Sequence, residues 1–128
     1  MPPSPSRQKN KIKLNAWRDG HRGEFFAALY LRLKRYRIVA RRVKTPVGEI
    51  DIIARRSGVT VFVEVKARSF SYQEAEALAA VNRRRIVRAA GLYVSRHPHL
   101  AHADQRFDVI FLAPFAWPRH IINAFDAS

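Results

Sequence analysis

Valine occupies every second position from Val59 to Val65, with Thr60, Phe62, Glu64 and Lys66 alternating on the other side. Period two sustained over eight residues demands a strand with one buried face, because a helix would scatter the four valines around its axis. Just upstream, Ile50, Ile52 and Ala54 alternate with Glu49, Asp51 and Ile53 in the same way. Arg55-Arg56-Ser57-Gly58 supplies turn chemistry between the two runs, so the segment predicts a β-hairpin. Its polar positions are unusual. Three of the chain's ten acidic residues (Glu49, Asp51 and Glu64) lie on it, and Lys66 follows Glu64 by two.

The rest of the chain is read outward from that hairpin. The spacing predicts a helix over 20–35 with Phe25, Ala28, Leu29 and Leu31 or Arg32 as its stripe, and Arg22, Arg32, Lys34 and Arg35 outside. Glu24 falls in its first turn, where the helix dipole favours a carboxylate by about 0.3–1 kcal/mol. Tyr36 to Val43 reads as a first strand, and Thr45-Pro46-Val47-Gly48 turns the chain into the hairpin. Downstream, Ala75, Leu78, Ala79, Asn82, Ile86, Ala89, Ala90 and Tyr93 form the stripe of a long helix from Gln73 to about Arg96, closed by His97-Pro98. Arg83, Arg84, Arg85 and Arg88 fall on its outer face. Arg106 to Leu112 reads as a strand with Phe107, Val109 and Phe111 on one face and Arg106, Asp108, Ile110 and Leu112 on the other. His120 to Phe125 suggests a short last strand. The order α-β-β-β-α-β, plus that last strand, implies an α/β fold with a mixed central sheet flanked by helices. A length of 128 residues suits one domain, over 20–128. Residues 1–14, with three prolines and Arg7, Lys9, Lys11 and Lys13, read as a flexible basic arm.

Charge narrows the partners. The chain carries 24 Lys/Arg against 10 Asp/Glu, a net +14, and 13 of those bases lie in residues 1–44 with only 2 acids. Such a field attracts polyanions, nucleic acid first among them. The absence of cysteine excludes disulfides, thiolate metal sites and a Cys nucleophile. No apolar h-region follows Met1, and the longest uncharged apolar run, Val109 to Trp117, is too short to span a bilayer. A cytoplasmic protein without a membrane partner is the expectation. His97, His99 and His102 share a loop, but no acidic or Cys partner accompanies them, so a polar loop is preferred to a metal site.

The hairpin's polar face has a chemical reading. Asp51 and Glu64, brought together on neighbouring strands, would repel, and a pKa would rise unless a cation intervened. Oxygen donors of this kind suit Mg²⁺ or Mn²⁺. An ion there would polarise a phosphate oxygen and acidify a bound water, while Lys66 could orient the attacking water or stabilise developing charge. Alone, an E-x-K pair reads more readily as a solvated charge pair. The adjoining G-E-x-D strand and the basic field shift the balance towards a phosphodiester-hydrolysing site.

Gly23-Glu24, Gly48-Glu49-Ile50-Asp51-Ile52-Ile53-Ala54, Val61-Phe62-Val63-Glu64-Val65-Lys66-Ala67-Arg68 and Arg106-Phe107-Asp108-Val109-Ile110 resemble the YraN-like bacterial proteins. These look like small members of the PD-(D/E)XK nuclease superfamily, similar to archaeal Holliday junction resolvases, and the resemblance covers about residues 20–125. It implies a restriction-endonuclease-like core and a metal-dependent endonuclease acting on DNA, in branched or structured form. Carried over by motif, Asp51 and Glu64 become the metal ligands, Lys66 the catalytic lysine, and Glu24 the helix-borne acid completing the site. Glu49 would assist from behind them. Arg22, Arg68, Arg83, Arg84, Arg85 and Arg88 are the expected nucleic-acid contacts. Two departures stand out: no glycine follows the first helix around Tyr36-Arg37, and Arg83-Arg84-Arg85 replaces a lysine of the long helix. Arg106 and Asp108 follow the family's R-F-D pattern and read as a structural ion pair. The competing classes are a non-catalytic nucleic-acid-binding module with the same fold and a small RNA-assembly protein. A resolvase-like activity would favour a homodimer.

Overall fold

A computed structural model describes residues 21–67 and 72–127, the side chains of residues 21, 22 and 72–81 excepted. The basic arm over 1–14 and Arg68 lie outside the described residues, as does the side chain of Arg22. Helix α1 spans His21–Leu33, and strands β1 Arg37–Thr45, β2 Gly48–Arg56 and β3 Val59–Lys66 follow. Helix α2, Tyr72–Ser95, leads through a 3₁₀ turn at Pro98–Leu100 into β4 Asp104–Phe111 and β5 Arg119–Phe125. The sheet order is β1-β2-β3-β4-β5, with β3 and β4 parallel and the other pairs antiparallel. The expected mixed sheet between helices is therefore present. Among the described residues, no helix is long and apolar enough to cross a membrane.

Turn chemistry fixes the hairpins. Ser57 and Gly58 both take positive φ, 53° and 80°, the two-residue geometry whose twist matches the flanking strands. At the β1–β2 turn, the Thr45 hydroxyl donates to the Gly48 carbonyl at 2.6 Å and accepts from the Gly48 N–H at 3.1 Å. Gly48 is needed for space, since a Cβ there would lie 2.7 Å from Arg85 Cγ. Helix α1 closes with Tyr36 N–H bonded to the Leu31 carbonyl at 2.9 Å and Arg35 N–H to the Arg32 carbonyl at 2.9 Å. That closure puts Arg35 in the left-handed region (φ 69°), where glycine is usual and an L side chain costs about 1–2 kcal/mol.

Each sheet face is covered by one helix. On one side Ala27, Ala28 and Leu31 of α1 pack on Ile52, Ala54, Val61, Val63, Ile110 and Leu112, with Val59 and Val65 of the valine row partly buried against them. On the other, Ile86, Ala89, Ala90 and Tyr93 of α2 pack on Ile53, Phe62, Phe107, Val109 and Phe111. Phe62, Phe107 and Phe125 stack across β3, β4 and β5 with centroids 5.5 and 5.1 Å apart. Full burial of each such ring stabilises by about 1.5–3 kcal/mol.

Two sequence expectations are corrected. The buried stripe of α1 is Glu24, Ala27, Ala28 and Leu31, whereas Phe25 and Leu29 are 50% and 42% exposed. Small alanines let the helix axis approach the sheet, which turns the larger side chains outward. Ile50 does not share a face with Ile52 and Ala54; it joins Ile53 and Phe62 beneath α2. The cause lies one strand away. Arg42 has φ 53°, and both Ala40 and Val43, three residues apart, turn towards α2. Their partners are Ile53 and Ile50, so the alternation of both strands breaks at the level of Arg42 and Asp51.

Candidate functional site

The break in alternation is where the hairpin's acids converge. Pairing of β2 with β3 runs from Arg56↔Val59 to Ile52↔Val63 and stops there. One residue further, Asp51 Oδ2 accepts a hydrogen bond from the Val65 N–H at 2.8 Å, replacing the missing backbone rung with a carboxylate. On β3 the alternation that turns Val63 and Val65 towards α1 turns Glu64 and Lys66 to the opposite side, where Glu64 Oε1 and Lys66 Nζ pair at 3.2 Å. Helix α1 brings Glu24 in from its first turn, 7% exposed. Arg42 Nε lies 3.4 Å from Glu24 Oε2 and 3.9 Å from Glu49 Oε1, so one guanidinium ties the helix to β2.

The electrostatics of this centre are unfavourable to its own charges. Burial, and after it the Asp51 charge, push Glu64 up to about 7, with Lys66 acting in the opposite sense. Glu24 is raised to about 7 by burial, then by Asp51 and Glu49, with Arg42 and Arg41 opposing. Asp51 is raised by burial despite the Val65 hydrogen bond and Lys66. Glu24, Glu49, Asp51 and Glu64 therefore act on one another as a single electrostatic group with Lys66 and Arg42 inside it. Carboxylates that keep protons near neutral pH are short of positive charge. The surplus is what a hard divalent ion relieves, and Asp51 and Glu64 each retain an oxygen outside the hydrogen bond and ion pair just described. Among the described residues no group of three or more His, Cys, Asp or Glu side chains is placed to hold a metal. Mg²⁺ commonly takes one or two carboxylates and keeps water in its remaining positions, so the Asp51–Glu64 donor set fits such an ion.

Of the expected nucleic-acid contacts, Arg83, Arg84, Arg85 and Arg88 are exposed on α2. Arg85 additionally packs over Gly48, at the start of the acid-bearing strand. His97 stacks on Tyr93 with centroids 4.0 Å apart, and its Nδ1 bonds the Tyr93 carbonyl at 2.8 Å. It serves as a cap to α2.

Sequence reasoning missed Arg42, whose only signal was the Arg41-Arg42 pair interrupting an alternating strand. It also missed how thoroughly Asp108 is enclosed. Arg106 donates to Asp108 through Nε at 2.9 Å and a terminal nitrogen at 2.8 Å. His120 Nε2 reaches the same carboxylate at 2.7 Å, and the Asn123 N–H donates at 2.9 Å. Arg106 also bonds the Tyr36 hydroxyl at 2.6 Å, and Lys34 Nζ meets His120 Nδ1 at 2.7 Å. The network ties the turn after α1 to β4 and β5. The expected Arg–Asp pair is present, but as part of a larger network.

Comparison with known proteins places this arrangement in a lineage. The model of the family described as "Uncharacterised protein family UPF0102" matches residues 23–112, which include every acid of the centre. A UPF0102 protein of Parvibaculum lavamentivorans is 51% identical over 111 residues, covering 87% of this chain and 84% of its own. One from Mesorhizobium japonicum is 49% identical over 123 residues, covering 96% and 94%. A third, from Rhodopseudomonas palustris, is 46% identical over 127 residues, covering 99% and 93%. With the family model spanning most of the chain and near-full-length relatives at about half identity, the chain belongs to the UPF0102 family.

Proposed function

We propose that the protein is a metal-dependent endonuclease of the PD-(D/E)XK type that hydrolyses phosphodiester bonds in DNA, branched or structured DNA included. The observation that carries this reading is the convergence of Asp51, Glu64 and Lys66 at a break in the sheet, with Glu24 reaching in and all three carboxylates raised in pKa. A carboxylate cluster with this deficit of positive charge is costly to keep in a basic chain unless a cation and an anionic substrate complete it. Asp51 and Glu64 would hold Mg²⁺ or Mn²⁺. Once bound, the ion would supply Lewis-acid polarisation of the scissile phosphate and a more acidic water. Lys66 Nζ, already tethered by Glu64, is then available to orient the attacking water and to stabilise charge on the phosphate. Glu24 and Glu49 complete the negative field, and Arg42 holds both in place. Such a protein would act in the cytoplasm, where its substrate is.

The test offers plain duplex, single-stranded, flapped and four-way DNA with Mg²⁺ or Mn²⁺. Cleavage should vanish with EDTA and in Asp51→Ala and Lys66→Ala while DNA binding survives. If the parent cuts none of the four and both variants bind as it does, the protein is a non-catalytic nucleic-acid-binding module.

A further inference from the structure

The acid centre occupies one end of the β1–β2 hairpin, and four arginines gather at the other. Arg37 and Arg55 are direct cross-strand partners, Arg56 follows Arg55, and Arg35 closes α1 two residues before Arg37. Arg35, Arg37 and Arg56 are exposed and Arg55 is half-buried. Among the described residues, none of the four has a carboxylate within 4.0 Å.

Their placement runs against the preferences of the backbone that carries them. Like charges directly opposite on neighbouring antiparallel strands repel, and an acid or a neutral side chain at either position would relieve this. Arg35 sits in the left-handed conformation (φ 69°) of a helix-closing position that glycine fills without strain. Arg56 is set over the Tyr36 ring, its guanidinium carbon 5.3 Å from the centroid, which restrains the charged head. Charges that protect a sheet edge belong on the edge strand. Arg55 and Arg56 are on β2, which is paired on both sides, and Arg35 is in no strand. Edge protection therefore does not account for the group. By alternation Arg37 and Arg55 lie on the α2 side of the sheet and Arg56, over Tyr36, on the α1 side, so the arginines straddle this end of the sheet. Phosphates lying beside them relieve the repulsion, and planar guanidinium forks suit phosphate oxygens.

We propose that Arg35, Arg37, Arg55 and Arg56 form a clamp for the phosphate backbone of duplex nucleic acid. Its distance from the acid centre rests on the nuclease reading; its binding does not. Arg56 lies five residue steps along β2 from Asp51, about 17 Å at strand rise, or about five base pairs of duplex at ~3.4 Å per step. The clamp would grip the duplex that distance to one side of the phosphate presented to Asp51 and Glu64.

The test measures binding of the full chain to a labelled duplex of about 20 base pairs, in EDTA and over a series of salt concentrations. Melting temperatures are recorded in parallel, and anionic phospholipid vesicles serve as the second probe. Arg35→Gly and Arg37→Glu should bind the duplex more weakly, with a salt dependence shallower by about 0.9 in logarithmic slope for each phosphate no longer neutralised. Both should melt higher by about 2–6 °C, since each removes an unfavourable local term. Parental affinity and slope in both variants would overturn the clamp, as would a parent that binds the vesicles but not the duplex. Because binding is read without metal, failure to cut any DNA would remove the nuclease reading and leave the clamp standing. Unaltered binding in the variants would do the reverse.

Discussion

Two buried acid centres sit on the same sheet, and they are opposites. Asp108 is fully buried, and burial alone would raise its pKa, yet hydrogen bonds from His120, Arg106 and the Asn123 N–H hold it below the usual carboxylate range. Glu24, Asp51 and Glu64 are buried or half-buried as well, but they meet chiefly one another, and all three are raised. Burial is common to both, so it cannot be what distinguishes them. The difference is the supply of donors. Asp108 has a donor for each of its oxygens and locks β5 to β4; the Asp51 centre sets Lys66 and Arg42 against four carboxylates and is the better candidate for receiving a ligand.

The largest expected contrast is in stability. Asp108→Ala would leave Arg106 and His120 facing a buried void, and the loss should be on the order of 3–5 kcal/mol in denaturant unfolding. Glu64→Gln should do the reverse at pH 8, stabilising by about 1–3 kcal/mol because it removes a carboxylate that the folded state holds against burial and repulsion. Equal destabilisation by both substitutions would erase the distinction between the centres.

The pH dependence should show a smaller, graded version of the same contrast. Glu24 and Glu64 have folded pKa values of about 7, above their ordinary value of 4.5, so between these limits the folded state binds more protons than the unfolded one. Their contribution is therefore fully present below about pH 4.5 and declines as pH rises to about 7. Asp108, with a lowered value, contributes above its ordinary value of 3.8, and that part is lost as pH falls through the folded value. Unfolding free energy measured from pH 3 to 8 should decline across the upper window, and Glu64→Gln should flatten that decline. A parent that gains stability from pH 5 to 7 would contradict it.

Much of this was legible in the chain. The valine row from Val59 to Val65 could be nothing but a strand, and Glu64 and Lys66 followed from it by alternation. The stripe of Ile86, Ala89, Ala90 and Tyr93 likewise located the inner face of α2. The face of Ile50 was not legible, because the left-handed residue that rotates it, Arg42, lies on another strand and carries no glycine signature. In α1, Phe25 and Leu29 matched the helical period as well as Glu24 and Ala27 did, and hydrophobicity favoured the wrong pair. The choice was made by how closely the helix could approach the sheet, which is a tertiary quantity. His120 joins Asp108 across a loop and a shift in the β4–β5 register between Phe107 and Val109, so no local pattern announces it.

The most direct test of the central claim is calorimetry of Mn²⁺ binding at pH 6.5, in two buffers of different ionisation enthalpy. If the Asp51–Glu64 centre is a cation site in which Glu64 titrates at about 7, Mn²⁺ should bind and release protons to the buffer. Both the binding and the release should be lost in Asp51→Ala and kept in a variant of the clamp arginines. Absence of Mn²⁺ binding by the parent, or binding that Asp51→Ala leaves unchanged, would contradict the account.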